Sequence, residues 1–373
     1  MIKWLRLRNF KCFEDQTIEF GPLTLLSGLN GQGKSSVLQA LLLLRQSYQQ
    51  GLLPKTGLAL NSDLISVGTG KDALFENAGD DDKIGFEIQW SNNLEANWLF
   101  KSSSVGDVLD LASSPVKTNI FKASLFSDDF QYLQAERLGP RVSSIVSDFR
   151  VRQHRQLGTR GEYTVNFLSI FERDKIAHPN LAHPKAISFD LTDQIEAWIG
   201  EVSPGTRLSL TSYPGIDQIS LRYSFGTGSM RSQDYRSTNV GFGLSYTLPI
   251  LVAILSSQLG ALILLENPEA HLHPKGQVQM GELIARAASS GIQIVVETHS
   301  DHVLNGIRLA VHSGILPPDD ARLHFFERRE EGDIARSEII SPRIDRNGRI
   351  DYWPDGFFDQ WEKSLETLLS SEV

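Results

Sequence analysis

Residues 28–35 read Gly-Leu-Asn-Gly-Gln-Gly-Lys-Ser, a complete phosphate-binding loop. The stretch before it, residues 23–27 (Leu-Thr-Leu-Leu-Ser), predicts a buried strand, and residues 36–44 predict a mostly apolar helix. Strand, glycine-rich turn and helix N-terminus together aim backbone N–H groups and the positive end of a helix dipole at a phosphate. Within that frame Lys34 is placed to reach the β- and γ-phosphates, and Ser35 to offer its hydroxyl to Mg²⁺. Asn30, Gly31, Gln32, Gly33 and Ser36 are the remaining candidate contacts. The expectation is a site for a nucleoside triphosphate, with ATP and Mg²⁺ as cofactors.

Working outward, the chain has 373 residues, 40% hydrophobic and 22% charged, which suits one large or two moderate globular domains. A net charge of −9 gives no overall attraction for nucleic acid, so any such contact must come from a local patch. Cys12 is the lone cysteine, which excludes an internal disulfide and fits a reducing cytoplasm. The N-terminus alternates apolar with basic residues and lacks the apolar core of a signal peptide. Residues 248–265 are the longest apolar region, but Ser256, Ser257, Gln258 and Gly260 interrupt it. A helix over 246–258, with Pro249 in its first turn, then a turn and a strand over 261–265 explain it without a membrane span.

Period-two strands open the chain at 2–8, 17–20 and 23–27, and short strand signals at 84–88 and 96–100 predict an antiparallel sheet within 60–125. The acidic run at 79–83 reads as a solvated loop tip. Residues 187–199 suggest a helix and 207–225 strands. From 239 to 313 helix and buried-strand signals alternate, pointing to a second α/β lobe.

That lobe carries the second half of the expected site. Residues 261–266 (Ala-Leu-Ile-Leu-Leu-Glu) have the form of a buried parallel strand delivering a carboxylate, Glu266, to Mg²⁺ at its C-terminal end. A further strand at 292–296 runs into Glu297-Thr298-His299-Ser300, placing His299 at the same sheet edge. Residues 239–246 make another glycine-rich turn opening a helix.

These motifs resemble the ABC-class ATPase heads of the RecF, SMC and OLD-nuclease type, and more narrowly their short bacterial AAA-family relatives with a C-terminal domain of unknown function. The resemblance rests on residues 28–36, 239–245, 264–274 and 295–302, with further matches at 7–13, 132–141 and 353–360, so it spans nearly the whole chain. It implies an α/β P-loop NTPase of ABC type: a mixed-sheet core, an antiparallel β lobe and a small helical insertion. A single head over 1–373 would comprise an N-terminal lobe (1–135), an insertion (136–238), a C-terminal lobe (239–325) and a C-terminal element (326–373). The resemblance further implies that two heads sandwich two ATP molecules. Gly241, Gly243 and Ser245 would form the signature turn acting on the partner's γ-phosphate, and His299 would be the switch histidine. Gln134 would be the loop glutamine, or merely a polar residue of that segment.

The chain departs from the family pattern at one place. The usual Asp-Glu pair is here Glu266-Asn267. Glu266 can still support Mg²⁺, whereas the amide of Asn267 can orient water but cannot take its proton. Glu269 is the nearest carboxylate: either it substitutes as base, or it faces solvent in the loop leading to the dimer contact. ATP binding with slow hydrolysis is expected.

His271 and His273, with no cysteine nearby, read as the loop facing the other head rather than as a zinc site. Between 137 and 160 stand six arginines (137, 141, 150, 152, 155, 160) against one acid, Asp148. They would bind nucleic-acid phosphates, reach ATP in trans, or only solvate a helix or serve as internal salt-bridge partners. After His299 no acidic nuclease pattern follows, so a separate effector, a nuclease or toxin, is expected as partner. The function expected is an ATP-dimerised cytoplasmic clamp or sensor, on DNA and in phage defence. The alternatives are a protein-only switch restraining a toxin or nuclease and, last, a transporter subunit, against which the Asn-Val-Gly-Phe-Gly-Leu-Ser signature argues.

Overall fold

The apolar run before the phosphate loop is a strand, and the run after it is a helix. In the computed structural model these are Leu23–Gly28, buried along its whole length, and Lys34–Gln49. The structure describes all residues except 80–81, 103–105, 116–117, 228–229, 332–333 and 371–373. Part of the acidic tip at 79–83 thus lies outside the described residues. The chain divides into two units, the first comprising Met1–Ser127, Ala321–Asp345 and Arg349–Val373, the second Asp128–Asp320 and Arg346–Gly348.

In the first unit, six antiparallel strands lie in the order Phe13–Glu19, Ile2–Phe10, Lys83–Trp90, Glu95–Lys101, Val108–Ser113 and Gly57–Ala59. The antiparallel lobe therefore reaches back to the first residues of the chain. Alternation buries one face, where Phe86 meets Phe10 edge-on at 5.0 Å and Phe100 at 6.0 Å. The phosphate-loop strand lies in a separate sheet, parallel to Ala321–Glu331, with Gly28 opposite Phe326. Ile334–Ile340 pairs antiparallel to the outer side of Ala321–Glu331.

The lobe limits read from sequence at 135, 238 and 325 differ from these units. The physical reason is a long-range pairing. Ala321–Glu331 returns to the phosphate-loop strand from about three hundred residues away, a contact that no local signal announces.

The second unit is built on three parallel strands, with Leu262–Glu266 between Phe130–Leu133 and Gln293–Glu297. In this register Leu265 faces Leu133 and Glu266 faces Glu297, so the strands deliver their chain ends to one edge. The helix Phe242–Ser256 precedes the central strand. It starts four residues earlier than the periodicity predicts, because Gly241 rather than a later residue takes the extended N-cap conformation. Pro249 accordingly sits inside the helix and not in its first turn. The helix expected over 187–199 is Leu191–Val202, and the strands expected over 207–225 are the hairpin Arg207–Tyr213 and Gln218–Ser224. Among the described residues no helix is long and apolar enough to cross a membrane.

Two helices flank the strand that carries Glu297, and glycine lets them touch. A Cβ on Gly281 of Pro274–Ser289 would lie 2.2 Å from the Val303 carbonyl oxygen. One on Gly306 of Asp301–His312 would lie 2.1 Å from that of Val278. Backbone cannot yield as a side-chain tip can, so Gly306→Leu should cost at least about 1–3 kcal/mol. Urea denaturation of the full chain checks this, and an unchanged midpoint would contradict the close helix contact.

Candidate functional site

The phosphate loop owes its shape to three glycines with left-handed or otherwise positive φ: Gly28 at 139°, Gly31 at 78° and Gly33 at 104°. Two are also sterically required. A Cβ on Gly28 would sit 2.3 Å from the Phe326 oxygen, and one on Gly33 2.6 Å from Cys12 Sγ. Gly31 opens onto free space, as a residue cradling an anion must. Lys34 is buried, and its Nζ donates to the carbonyl oxygens of Gly28 and Leu29 at 3.0 and 2.8 Å. Its charge is therefore held inside the loop rather than in solvent.

Asn30 and Ser35 are exposed, Ser35 being the second residue of the helix, and Gln32 is half-buried. Ser36 faces inward, its Oγ 4.0 Å from Cys12 Sγ. An anion with a bound metal fits this loop: positive-φ glycines, an internal ammonium and an exposed hydroxyl at a helix N-terminus.

The second unit assembles the acid edge. Glu266 accepts at Oε1 from the Tyr132 hydroxyl at 2.7 Å and at Oε2 from the Ala135 N–H at 3.0 Å. A carboxylate offers about four lone-pair sites, so this fixing leaves capacity for a metal. Burial, then the Glu266 charge, pushes the Tyr132 phenol well above its ordinary range, so it remains a donor. Asn267 follows with φ of 44°, left-handed, its N–H donating to the Glu297 oxygen at 2.8 Å.

Glu269 is half-buried. Its Oε2 accepts from Thr298 Oγ1 at 2.8 Å and its Oε1 from the His299 N–H at 2.9 Å. A carboxylate so engaged holds the loop that carries His299 in place. His299 itself is exposed, and Ser300 caps the next helix by accepting from the Val303 N–H. Gln134 sits at the same edge, half-buried, with Nε2 3.4 Å from the Glu136 oxygen.

Arg137 ties these pieces together. It is buried, and its Nη1 donates to the carbonyl oxygens of Gln134 at 3.1 Å and Glu266 at 2.6 Å, while Nη2 donates to that of Asn267 at 2.6 Å. Its guanidinium also lies 5.4 Å from the Tyr246 ring centroid on the signature helix. Burial lowers its pKa to about 10, with Glu269 opposing the shift, which leaves it charged at neutral pH. Sequence reading counted this arginine in the basic run 137–160 and, with Tyr132, within the family match at 132–141, and assigned neither residue a role in the site.

The signature turn divides in two. Gly241 is exposed, and a Cβ there would meet nothing within 4 Å. Gly243 presses on the next loop, where a Cβ would lie 2.8 Å from the His271 oxygen. His271 in turn packs edge-on against Tyr246 at 4.5 Å, and Phe242 is 54% exposed beside it. Ser245 does not join this surface. The early helix start places it on the second turn, half-buried against a cavity it shares with Tyr223 and Pro249. His273 is a helix cap, accepting from the Lys275 N–H at 3.3 Å.

The arginine run likewise separates. Arg155 pairs with Asp174 at 3.7 Å and lies 4.2 Å from the Phe171 centroid; Arg152 pairs with Asp148 and Arg160 with Glu136. With Arg137 buried, these side chains do not form one basic face.

Comparison with known proteins agrees with this geometry. Residues 23–305 match the family described as "AAA domain, putative AbiEii toxin, Type IV TA system", and residues 316–368 one described as "Protein of unknown function (DUF3696)". The chain is 25% identical over 379 residues to the OLD nuclease of Thermus scotoductus, across 94% of this chain and 68% of that protein. It is 28% identical over 157 residues to the DNA double-strand break repair Rad50 ATPase of Archaeoglobus fulgidus, across 41% of this chain and 16% of that protein. Over 51 residues it is 47% identical to the DNA replication and repair protein RecF of Desulfitobacterium hafniense, across 13% and 14% of the two chains. In fold it is similar to the SMC head bound to the C-winged helix domain of ScpA, with a TM-score of 0.55, 15% identity, and 92% and 98% of the two chains covered. The chain belongs to the AAA-domain family matched over residues 23–305, and is an ABC-type ATPase head of the RecF, SMC and OLD kind.

Proposed function

We propose that this ATPase is a nucleotide-gated clamp: two copies close on MgATP, act on DNA, and control a separate effector, a nuclease or toxin, in defence against phage within the cytoplasm. The observation that carries the reading is the exposed first turn of the signature helix, where Gly241 faces open space and Phe242 stands beside the exposed His271. Such a turn presents unpaired N–H groups and a helix dipole to an anion from outside the copy that carries it. In this proposal Lys34, Ser35 and Glu266 hold MgATP, His299 and Gln134 attend the γ-phosphate, and Gly241 and Gly243 meet the partner's nucleotide. Mg²⁺ would supply charge neutralisation at the transferred phosphoryl group. The DNA role is inherited in this proposal from the printed roles of the RecF and Rad50 relatives.

Turnover is expected to be slow. Asn267 offers no proton acceptor, and Glu269, the nearest carboxylate, is tied to Thr298 and His299 through one bond on each oxygen. In this proposal Glu269 positions His299.

One observation favours the protein-only switch as a second reading. The arginines at 137, 152, 155 and 160 are engaged internally, so the stretch 137–160 lacks the continuous basic face that phosphate tracking requires.

Three outcomes test these statements. ATP with Mg²⁺ should drive wild type from monomer to dimer in sedimentation; Lys34→Ala should lose both nucleotide binding and dimer, and Gly241→Arg should keep binding and lose the dimer. A Gly241→Arg protein that still dimerises would overturn the sandwich. Glu269→Ala should speed amide exchange at His299 and cost about 1–2 kcal/mol without nucleotide, as the loss of two bonds to a carboxylate implies. Unchanged exchange and stability would contradict the positioning contact. DNA affinity, measured by fluorescence anisotropy, should fall steeply with salt, and its absence at low salt with and without ATP would leave the protein-only switch.

A further inference from the structure

A cavity of about 50 Å³ opens within the second unit beside the signature helix, walled by Ser245, Leu248 and Pro249 of that helix and by Thr164, Tyr223 and Arg141. Two buried hydroxyls border this space. Thr164 is 2% exposed and its hydroxyl makes no hydrogen bond, while Tyr223 is 0% exposed and its hydroxyl faces Ser245. A buried hydroxyl is seldom left unsatisfied, as that of Thr164 is here.

The rest of the wall points to the sign of the missing group. Thr164 is the first residue of the helix Thr164–Phe171, which has no side-chain cap and no acid in its first turn. Val165, also on the wall, and Asn166 hold N–H positions that lack partners inside a helix, at the positive end of its dipole. Arg141 adds an exposed guanidinium. The one acid on the wall, Glu162, is folded onto the turn at 158–160, accepting from the Arg160 N–H at 3.0 Å and lying against Gly158. Burial pushes the Tyr223 phenol above its ordinary range, so it is a donor at neutral pH.

We propose that this cavity binds one small tetrahedral oxyanion, inorganic phosphate being the member of that class that the ATPase reaction releases. Tyr223, Thr164 and the helix N-terminus donate to its oxygens, and Arg141 balances charge at the wall. Because Ser245 and Pro249 belong to the signature helix, the anion would tie that helix to Thr164–Phe171. The chemistry of the site does not rest on the clamp reading, which stands or falls on ATP-driven dimerisation.

The test uses the full chain carrying Lys34→Ala, which removes the phosphate loop's cation. Phosphate should raise Tm saturably, by at least about 2 °C over sodium chloride at equal ionic strength. Sulfate, as a second tetrahedral probe, should do the same. Thr164→Val should weaken the response while leaving Tm in chloride no lower, since that hydroxyl has no partner to lose, and adding Tyr223→Phe should abolish it. Should that protein fail to fold, Arg141→Gln alone should raise the phosphate concentration at half response at least threefold. The proposal is overturned if phosphate gives no saturable rise over chloride, as water filling the cavity would. It is also overturned if the response survives loss of both hydroxyls, or if Arg141→Gln leaves it unchanged.

Discussion

Carbonyl groups at the C-terminal ends of parallel strands must find donors, and here a buried guanidinium supplies them. Arg137 spans the carbonyls of Gln134, Glu266 and Asn267, so the segments carrying Gln134 and Glu266 share one donor. The planar fork of arginine suits this task, and a lysine ammonium would reach fewer of these oxygens in fixed geometry. A buried cation is costly unless well bonded, which makes the arrangement all-or-none: partial loss would leave both a charge and carbonyls unsatisfied. Its ring contact with Tyr246, and that of Tyr246 with His271, carry the same order into the signature helix and the loop after the acid.

The edge is thus pre-organised before chemistry begins. Glu266 is held by two donors and Glu269 by two more, so neither carboxylate must search for its orientation. Each carboxylate keeps further lone pairs beside these two bonds. The bonds of Glu269 also stabilise the loop that carries His299.

Local chemistry made much of this legible. The glycine spacing at 28–33, the apolar strand ending in Glu266 and the strand running into His299 all appear in sequence because each depends on neighbours a few residues away. The family resemblance and the α/β fold follow from them and agree with the comparisons. Ser245 lies within the helix, which begins at Phe242 after the Gly241 cap, and borders a cavity, a placement that the glycine-rich spacing does not reveal. Arg137 was misread because a run of charge says nothing of burial. Tyr132 acts through the register between Phe130–Leu133 and Leu262–Glu266, a pairing across more than a hundred residues. The strand Ala321–Glu331 escaped for the same reason.

The left-handed backbone at Asn267 reaches beyond its hydrogen bond. Asparagine and aspartate visit this conformation readily, whereas a longer side chain there meets a strain of about 1–2 kcal/mol. The amide-to-glutamate exchange that would restore the family's usual acid is therefore resisted by the main chain itself. Aspartate is the one acid this backbone admits cheaply, and its shorter arm would set a carboxylate closer to the strand. At this position the choice of acid is narrowed by conformation as much as by chemistry.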